Sequence, residues 1–292
     1  CAGISLAARS VSPVESAWHE PVPGPREPRA VNPHPALGRA TAGILTIVAV
    51  AACSTRGPSH VYWAESSGAA LHDLAVDSGE RRTLDAHVDK DETVVGLAYD
   101  RFTDYLFLRL APGDVIRIVN RPANSRVRDL KLTPEVALSP GETPANSLDI
   151  TVRSRNRHIF AIDPRATGFV EFTLEGKMVR KIRMAAPPPG PVGGLGFDQR
   201  RDRLVVLFAG SPAVLAEVTL DGVIAHQTNL AAAVHPISLG CDSDTGEYFV
   251  PLADGAIGAF DRDGHLLHRH PVPAGATPAA IGAGPRAFLR LF

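Results

Sequence analysis

One short unit repeats along most of this chain, and the repetition limits its folds more than any other feature. Phe107-Leu108-Arg109-Leu110 returns as Phe288-Leu289-Arg290-Leu291. Between the two copies, looser versions recur about every 40 to 50 residues. Each has a Gly- or Ser-led apolar strand, a polar turn, a second apolar strand, then an Asp-Gly or Gly-rich hairpin. Asp221-Gly222 and Asp263-Gly264 supply two of these hairpins; both central residues of a type I′ turn need φ > 0, which this pair tolerates. A unit of this size cannot bury both faces of its sheet alone and must stack against its neighbours. The expected fold is therefore an all-β β-propeller, with one blade per unit.

The units read as follows. The first holds Val61-Tyr62-Trp63-Ala64-Glu65, an alternating strand from Ala70 to Val76, a Ser78-Gly79 turn and Arg82-Thr83-Leu84. The second opens with Val95-Gly96-Leu97-Ala98-Tyr99-Asp100 and continues through residues 105–108, 115–119 and 127–132. The third starts at Leu148-Asp149-Ile150, the fourth at Gly194-Leu195-Gly196-Phe197-Asp198 and the fifth at Gly240-Cys241-Asp242. Ala231-Ala232-Ala233-Val234 fits no strand and reads as a helical turn between blades. The 26 Gly and 25 Pro suit many short strands joined by tight turns. Five blades fit residues 58–292 best, with six as the alternative count. The strand carrying Phe288 to Leu291 is expected to complete the first blade and remove its free edge.

The first 57 residues have a different character. Seven prolines between Pro13 and Pro35 leave residues 1–38 without apolar periodicity, so this stretch is expected to be disordered or to precede the true start. The chain begins with Cys1 rather than Met, which fits a fragment or an alternative start codon read as Val31 or Leu37. Residues 39–53 follow, with Arg39, an apolar run from Ala42 to Ala52, and then Cys53. The run is too short for a membrane-spanning helix and has the length of a signal-peptide core. Val50-Ala51-Ala52-Cys53 resembles the lipobox of bacterial lipoproteins. That resemblance implies cleavage before Cys53, lipidation of Cys53, a short linker over 54–57 and an envelope location. Ser54, rather than Asp, implies sorting to the periplasmic face of the outer membrane. Cys241 would then be the only thiol of the mature protein, leaving no internal disulfide. Cys241 falls at an apolar strand position and is expected to be buried and inert.

Chemistry-bearing residues are sparse. There is no G-x-S-x-G, H-E-x-x-H, P-loop or C-x-x-C motif, and a net charge of -1 gives no reason to expect a nucleic-acid partner. Asp100, Asp198 and Asp242 end the first strands of three units, and Asp149 lies near the equivalent place. First strands line the channel of a propeller, so these carboxylates could converge at one mouth, where oxygen ligands suit a hard cation such as Ca²⁺. The competing expectation, and the favoured one, is that each Asp caps a turn. Arg109 and Arg290 share one place in the repeated phrase and are candidates for binding an anion in the channel, with pairing to acidic neighbours in adjacent blades as the competing expectation. His265, His268 and His270 read as a solvated strand face, since only two of them share a side of a strand.

The segment from Val61 to Leu84 is similar to a YWTD-type blade. The chain as a whole resembles bacterial lipoprotein propellers of the broad NHL, YncE-like, SMP-30 and SdiA-regulated neighbourhood. The resemblance rests on blade grammar and implies the fold more than a function; with no nucleophile–base pair legible, the expected role is a non-enzymatic binding or scaffold protein that offers a propeller face to a protein or small-molecule ligand, touches the membrane only through its lipid and needs no cofactor. The alternative it implies is a metal-dependent hydrolase or lactonase of the SMP-30 kind, with Glu65, Asp149 or Asp198 among the ligands of a divalent ion.

Overall fold

The computed structural model describes residues 56–65, 70–112, 114–139 and 141–287, and no helix occurs among them. Their strands form five four-stranded antiparallel sheets, the blades of a five-bladed propeller. Blade 1 contains β1 (Arg56–Glu65), β2 (Ala70–Ala75) and β3 (Arg81–Asp85). Blade 2 is β4 (Thr93–Asp100), β5 (Tyr105–Ala111), β6 (Val115–Asn120) and β7 (Ser125–Lys131). Blade 3 is β8 (Ile150–Arg153), β9 (His158–Ile162), β10 (Gly168–Phe172) and β11 (Met178–Arg183). Blade 4 is β12 (Val192–Asp198), β13 (Arg203–Phe208), β14 (Val214–Val218) and β15 (Ile224–Asn229). Blade 5 is β16 (Gly240–Asp242), β17 (Glu247–Pro251), β18 (Ile257–Phe260) and β19 (Leu266–His270). The last strand, β20 (Pro278–Ala287), returns to blade 1 and pairs with β1 from Arg56↔Ala287 to Glu65↔Pro278.

Alternation explains why the blades need one another. On β1, Val61 and Trp63 pack against Phe249 and Ile257 of blade 5. The residues between and after them, Tyr62 and Ala64, pack against Leu97 and Leu106 of blade 2. Phe107 likewise turns toward Ile150 and Ile159 of blade 3, while Leu106 and Leu108 turn back toward blade 1. Five buried apolar clusters result, one at each junction between neighbouring blades. Both faces of the middle strands are therefore buried, and the fourth strands, such as β15 with its exposed alternate residues, face solvent.

Crowding near the axis selects glycine in the innermost strands. A Cβ on Gly96 would meet the Leu148 backbone of blade 3, and one on Gly194 the Ser238 backbone ahead of blade 5. On Gly240 it would meet Ile281 of β20, and on Gly282 of β20 it would meet Leu97 of blade 2. At Gly96 and Gly194 the obstacle is the backbone that leads into the neighbouring blade, so a Cβ there would force the chains apart.

As expected, the C-terminal strand closes the ring by completing blade 1. Blade 1 is completed by Pro278–Ala287 as its innermost strand, while Phe107 lies in β5, the second strand of blade 2. Phe288 to Leu291, and Arg290 with them, lie outside the described residues, as do residues 1–55 with Cys53. The Ala231–Val234 segment is not helical: Ala231 and Ala232 form a bend, and Val234 forms an isolated bridge with Leu252.

The hairpin between the third and fourth strands carries one residue at positive φ in every blade: Gly79, Asn124, Gly176, Gly222 and Gly264. At Gly222 the left-handed backbone is compounded by contact, because a Cβ there would collide with the Arg183 carbonyl oxygen at the end of blade 3. Gly246, at a φ of 79°, faces open space. Gly246→Ala is expected to cost about 1 kcal/mol, from the left-handed backbone alone. Gly222→Ala should cost at least about twice that, since the blade contact must also open. Urea denaturation of the two variants checks this, and equal losses would remove the blade-contact argument.

Candidate functional site

The four acidic residues expected at one mouth divide between the two ends of the channel. Asp100, Asp198 and Asp242 end β4, β12 and β16, and each folds its carboxylate back into the turn that follows. Asp100 accepts from the Phe102 N–H at 3.2 Å and the Thr103 hydroxyl at 2.7 Å. Asp198 accepts from the Arg200 and Arg201 N–H groups at 2.9 and 3.1 Å, and from the Arg201 guanidinium at 2.7 Å. Asp242 accepts from the Asp244 N–H at 2.8 Å and from the Ser59 hydroxyl. These are Asx turns, the shortest way to satisfy a buried strand end. Blade 3 has Arg153 at the same register, paired with His158 as Asp198 is with Arg203.

Asp149 instead precedes β8 and joins several blades at the axis. It is fully buried. Its Oδ2 accepts from the Leu195 N–H of blade 4, and from the Ser238 hydroxyl and Leu239 N–H leading into blade 5, each at 3.0 Å. Its Oδ1 lies 3.4 Å from the Leu97 N–H of blade 2. Ser238 Oγ also accepts from the Ile281 N–H of β20 at 2.8 Å, which brings blade 1 into the network. One carboxylate is thus linked, directly or through Ser238, to all four other blades. Burial pushes its pKa up to about 7, against hydrogen bonds from Leu195, Leu239, Ser238 and the Ile150 backbone, which favour the ionised form.

Arg109 stands beside this hub and is fully buried. Its guanidinium donates to the Leu148 carbonyl at 3.2 Å and the Val136 carbonyl at 2.5 Å. Burial lowers its pKa to about 10, with the Asp114 and Asp149 charges opposing the shift. Its donors aim at backbone, so this side chain belongs to the scaffold around Asp149.

Buried charges on the third strands carry no mark in the sequence beyond one polar letter inside an apolar run. Asp73, Arg117, Glu171 and Glu217 occupy that place in four blades and are nearly inaccessible. Glu217 is bonded by Arg203 and by Arg262 of the next blade. Burial pushes its carboxyl up, but Arg262 and Arg201 outweigh this and hold it below the usual range. Asp73 binds His60 at 2.6 Å and the Arg286 guanidinium of the closing strand. Burial and then Arg286 lower the His60 pKa to about 4, leaving the ring neutral at pH 7.

Other candidates disperse. Glu65 Oε1 lies 2.8 Å from His72 Nε2. His265 is exposed and pairs with Asp261, while His268 and His270 have ring centroids 6.4 Å apart. Cys241 lies along the channel wall, and burial, followed by the Asp198 and Asp242 charges, pushes its thiol well above the ordinary range. Among the described residues, no group of three or more His, Cys, Asp or Glu is placed to hold a metal ion.

What remains open is the end of the channel bearing the turns after β4, β8, β12 and β16. Two positions beyond the strand end, these turns present Phe102, Arg155, Arg200 and Asp244. One position beyond it they present Arg101, Ser154, Gln199 and Ser243, and these residues tie the turns together. The Ser154 N–H donates to Gln199 Oε1 at 3.0 Å, and the Gln199 N–H to Ser243 Oγ at 2.8 Å. Arg101 crosses to Asp244 at 2.9 Å. The depression they enclose has a volume of about 500 Å³, within the range of small-ligand sites. It leads into a polar channel space of about 30 Å³, enough for a water or two. The opposite mouth is lined mainly by Val94, Val95, Leu148, Ile237 and Ala279.

No family model and no curated protein matches this sequence. Among solved structures, the chain is similar to one chain of the crystal structure of a nidogen/laminin complex. The identity is 12%, with a TM-score of 0.51, over 77% of this chain and 98% of that one. A protein of unknown function from Bacteroides caccae matches at 14% identity and a TM-score of 0.29, over 73% of this chain and 57% of that one. At such identity the nidogen/laminin likeness speaks to the fold alone. Fold and site together define a five-bladed β-propeller with its axis filled by a buried polar hub and one polar, arginine-rimmed mouth.

Proposed function

We propose that this chain is a non-enzymatic binding propeller of the bacterial envelope. In this reading it is tethered at the periplasmic face of the outer membrane through lipidated Cys53, and it offers the face bearing the arginine-rimmed mouth to a protein or small-molecule ligand. One observation carries the binding part. The axial carboxylates are occupied in turns and in the hub, whereas the 500 Å³ depression carries Phe102, Arg155 and Arg200 exposed on its rim. The structural neighbour was crystallised in a protein complex, which supports including a protein partner. The repeat pattern supports a place in the NHL, YncE-like and SMP-30 neighbourhood.

Two measurements test it. In a bacterial host, Cys53→Ser should move the protein out of the membrane fraction; equal partitioning of variant and parent would remove the lipid anchor. The purified propeller should not hydrolyse a panel of lactones and esters, with or without added Ca²⁺. Divalent-dependent hydrolysis that disappears in Asp198→Asn would replace the binding role with an SMP-30-type hydrolase. As a turn cap, Asp198→Asn should otherwise cost only about 1 kcal/mol.

A further inference from the structure

We infer that the arginine-rimmed mouth is a binding site for a small dianion carrying an apolar or aromatic body, either a phosphate monoester or a dicarboxylate. The inference rests on the binding role proposed above and gives it a ligand class.

Charge comes first. Arg101, Arg155 and Arg200 line the depression, and Asp244 is the only carboxylate among its lining residues. Three guanidinium groups face one carboxylate, so the site holds a surplus of two positive charges, matched by a dianion. Asp244 also positions the others. Its side chain is only 8% exposed, and its Oδ1 is 2.9 Å from Arg101 Nη1 and 3.7 Å from Arg200 Nε. Two arginines from different blades are thereby drawn to one buried oxygen, with donors remaining on each fork. Arg155 is exposed and makes no hydrogen bond or ion pair with any described residue.

Geometry and chemistry agree on the ligand. Guanidinium forks favour planar carboxylates and phosphates, which they can bind through paired N–H groups. Phe102 is 60% exposed and stands on the same rim, with the Arg101 guanidinium 5.5 Å from its ring centroid. An exposed aromatic ring beside the cations offers a wall for an apolar body. The volume admits a ligand of that size without any change of shape.

The test uses calorimetric titration of the wild-type protein at pH 7.5 with phenyl phosphate, phthalate and neutral benzyl alcohol. At least one dianion should bind saturably, weaken as NaCl is raised and outcompete the alcohol. Binding by phenyl phosphate alone assigns a phosphate monoester, and binding by phthalate alone assigns a dicarboxylate. Arg155→Ala should weaken the bound dianion at least about tenfold with an unchanged melting temperature. Arg157→Ala, exposed on the same turn but outside the depression, should change it less than about twofold. No saturable dianion binding up to 10 mM, or binding indifferent to Arg155→Ala, overturns the inference. Release of phenol that depends on Arg155 would keep the anion site and overturn the non-enzymatic reading, so the two failures are distinct.

Discussion

Asp149→Ala is expected to bring the propeller to the edge of unfolding. The substitution leaves the Leu195 N–H, the Leu239 N–H and the Ser238 hydroxyl, all buried at the axis, without their shared acceptor. Each orphaned buried donor costs about 1–3 kcal/mol, so the total is roughly 3–9 kcal/mol. A domain has only about 5–15 kcal/mol to lose, and the melting temperature should fall by on the order of 10–25 °C. The loss also takes from the buried Arg109 one of its two nearby carboxylates. Asp149→Asn separates the two effects. Its side-chain oxygen can accept the three short hydrogen bonds, and its amide then faces the Leu97 N–H at 3.4 Å. Asn should therefore cost far less than Ala. If Asn and Ala melt together, the negative charge near Arg109, rather than the hydrogen bonds, holds the hub.

The same residue sets a pH dependence of known sign. Because burial raises the Asp149 pKa from 3.8 to about 7, the folded state holds a proton that the unfolded state has released across that interval. Its contribution to stability is full below about pH 4, declines as pH rises through about 7, and is flat beyond. Relative to Asp149→Asn, wild-type protein should lose stability between pH 5 and 8. His60 works in the opposite direction. Its pKa falls from 6.5 to about 4, so its contribution is full above pH 6.5 and is lost as pH falls through 4. Urea titrations of wild type, Asp149→Asn and His60→Gln at pH 5, 6.5 and 8 separate the two slopes; identical profiles for all three would disprove both assignments.

Removing the closing strand should have the second large effect. Deletion of residues 278–292 strips blade 1 of its innermost strand, exposes the paired edge of β1 and removes buried Ala280 and Ile281 from two blade junctions. We expect loss of cooperative unfolding altogether, since the ring then has an open seam. The shorter deletion of 286–292 leaves most of β20 but removes Arg286, which bonds Asp73 and donates to the Tyr62 hydroxyl at 3.2 Å. Asp73 is then a buried carboxylate with His60 as its remaining partner, a loss of about 3–5 kcal/mol. Circular dichroism melts decide both cases. A shorter truncation that melts with the parent would show that the Arg286 seam adds nothing to closure.

The blade unit was legible because a strand buried on both faces needs apolar letters in unbroken or alternating runs, and its turns need Gly, Asn or Asp. Those constraints are local, so the composition of β5, β9, β13 and β17 announced them. The turn-capping role of Asp100, Asp198 and Asp242 was legible for the same reason, since donor and acceptor lie two or three residues apart. That the last strand closes blade 1 was legible, but the make-up of that strand was not. Apart from Ile281 and Arg286, Pro278–Ala287 is made of Pro, Ala and Gly because it runs through the crowded axis, where small residues are required and no hydrophobic alternation survives.

Sequence alone therefore determined the repeating sheet, the predominance of five units and the hairpin positions, each of which depends on contacts within about ten residues. The tertiary structure decided what the polar residues do. Asp149 looks like a fourth copy of the turn-capping aspartates, yet its bonds reach 89 and 90 residues along the chain to Ser238 and Leu239. Arg109 lies in the most conspicuous phrase of the sequence and became scaffold, whereas Arg101, Arg155 and Arg200, unremarked in three different turns, came together at one mouth. Closing a ring converts equal positions in successive repeats into neighbours in space, and no local pattern in the chain records which of them will face the same opening.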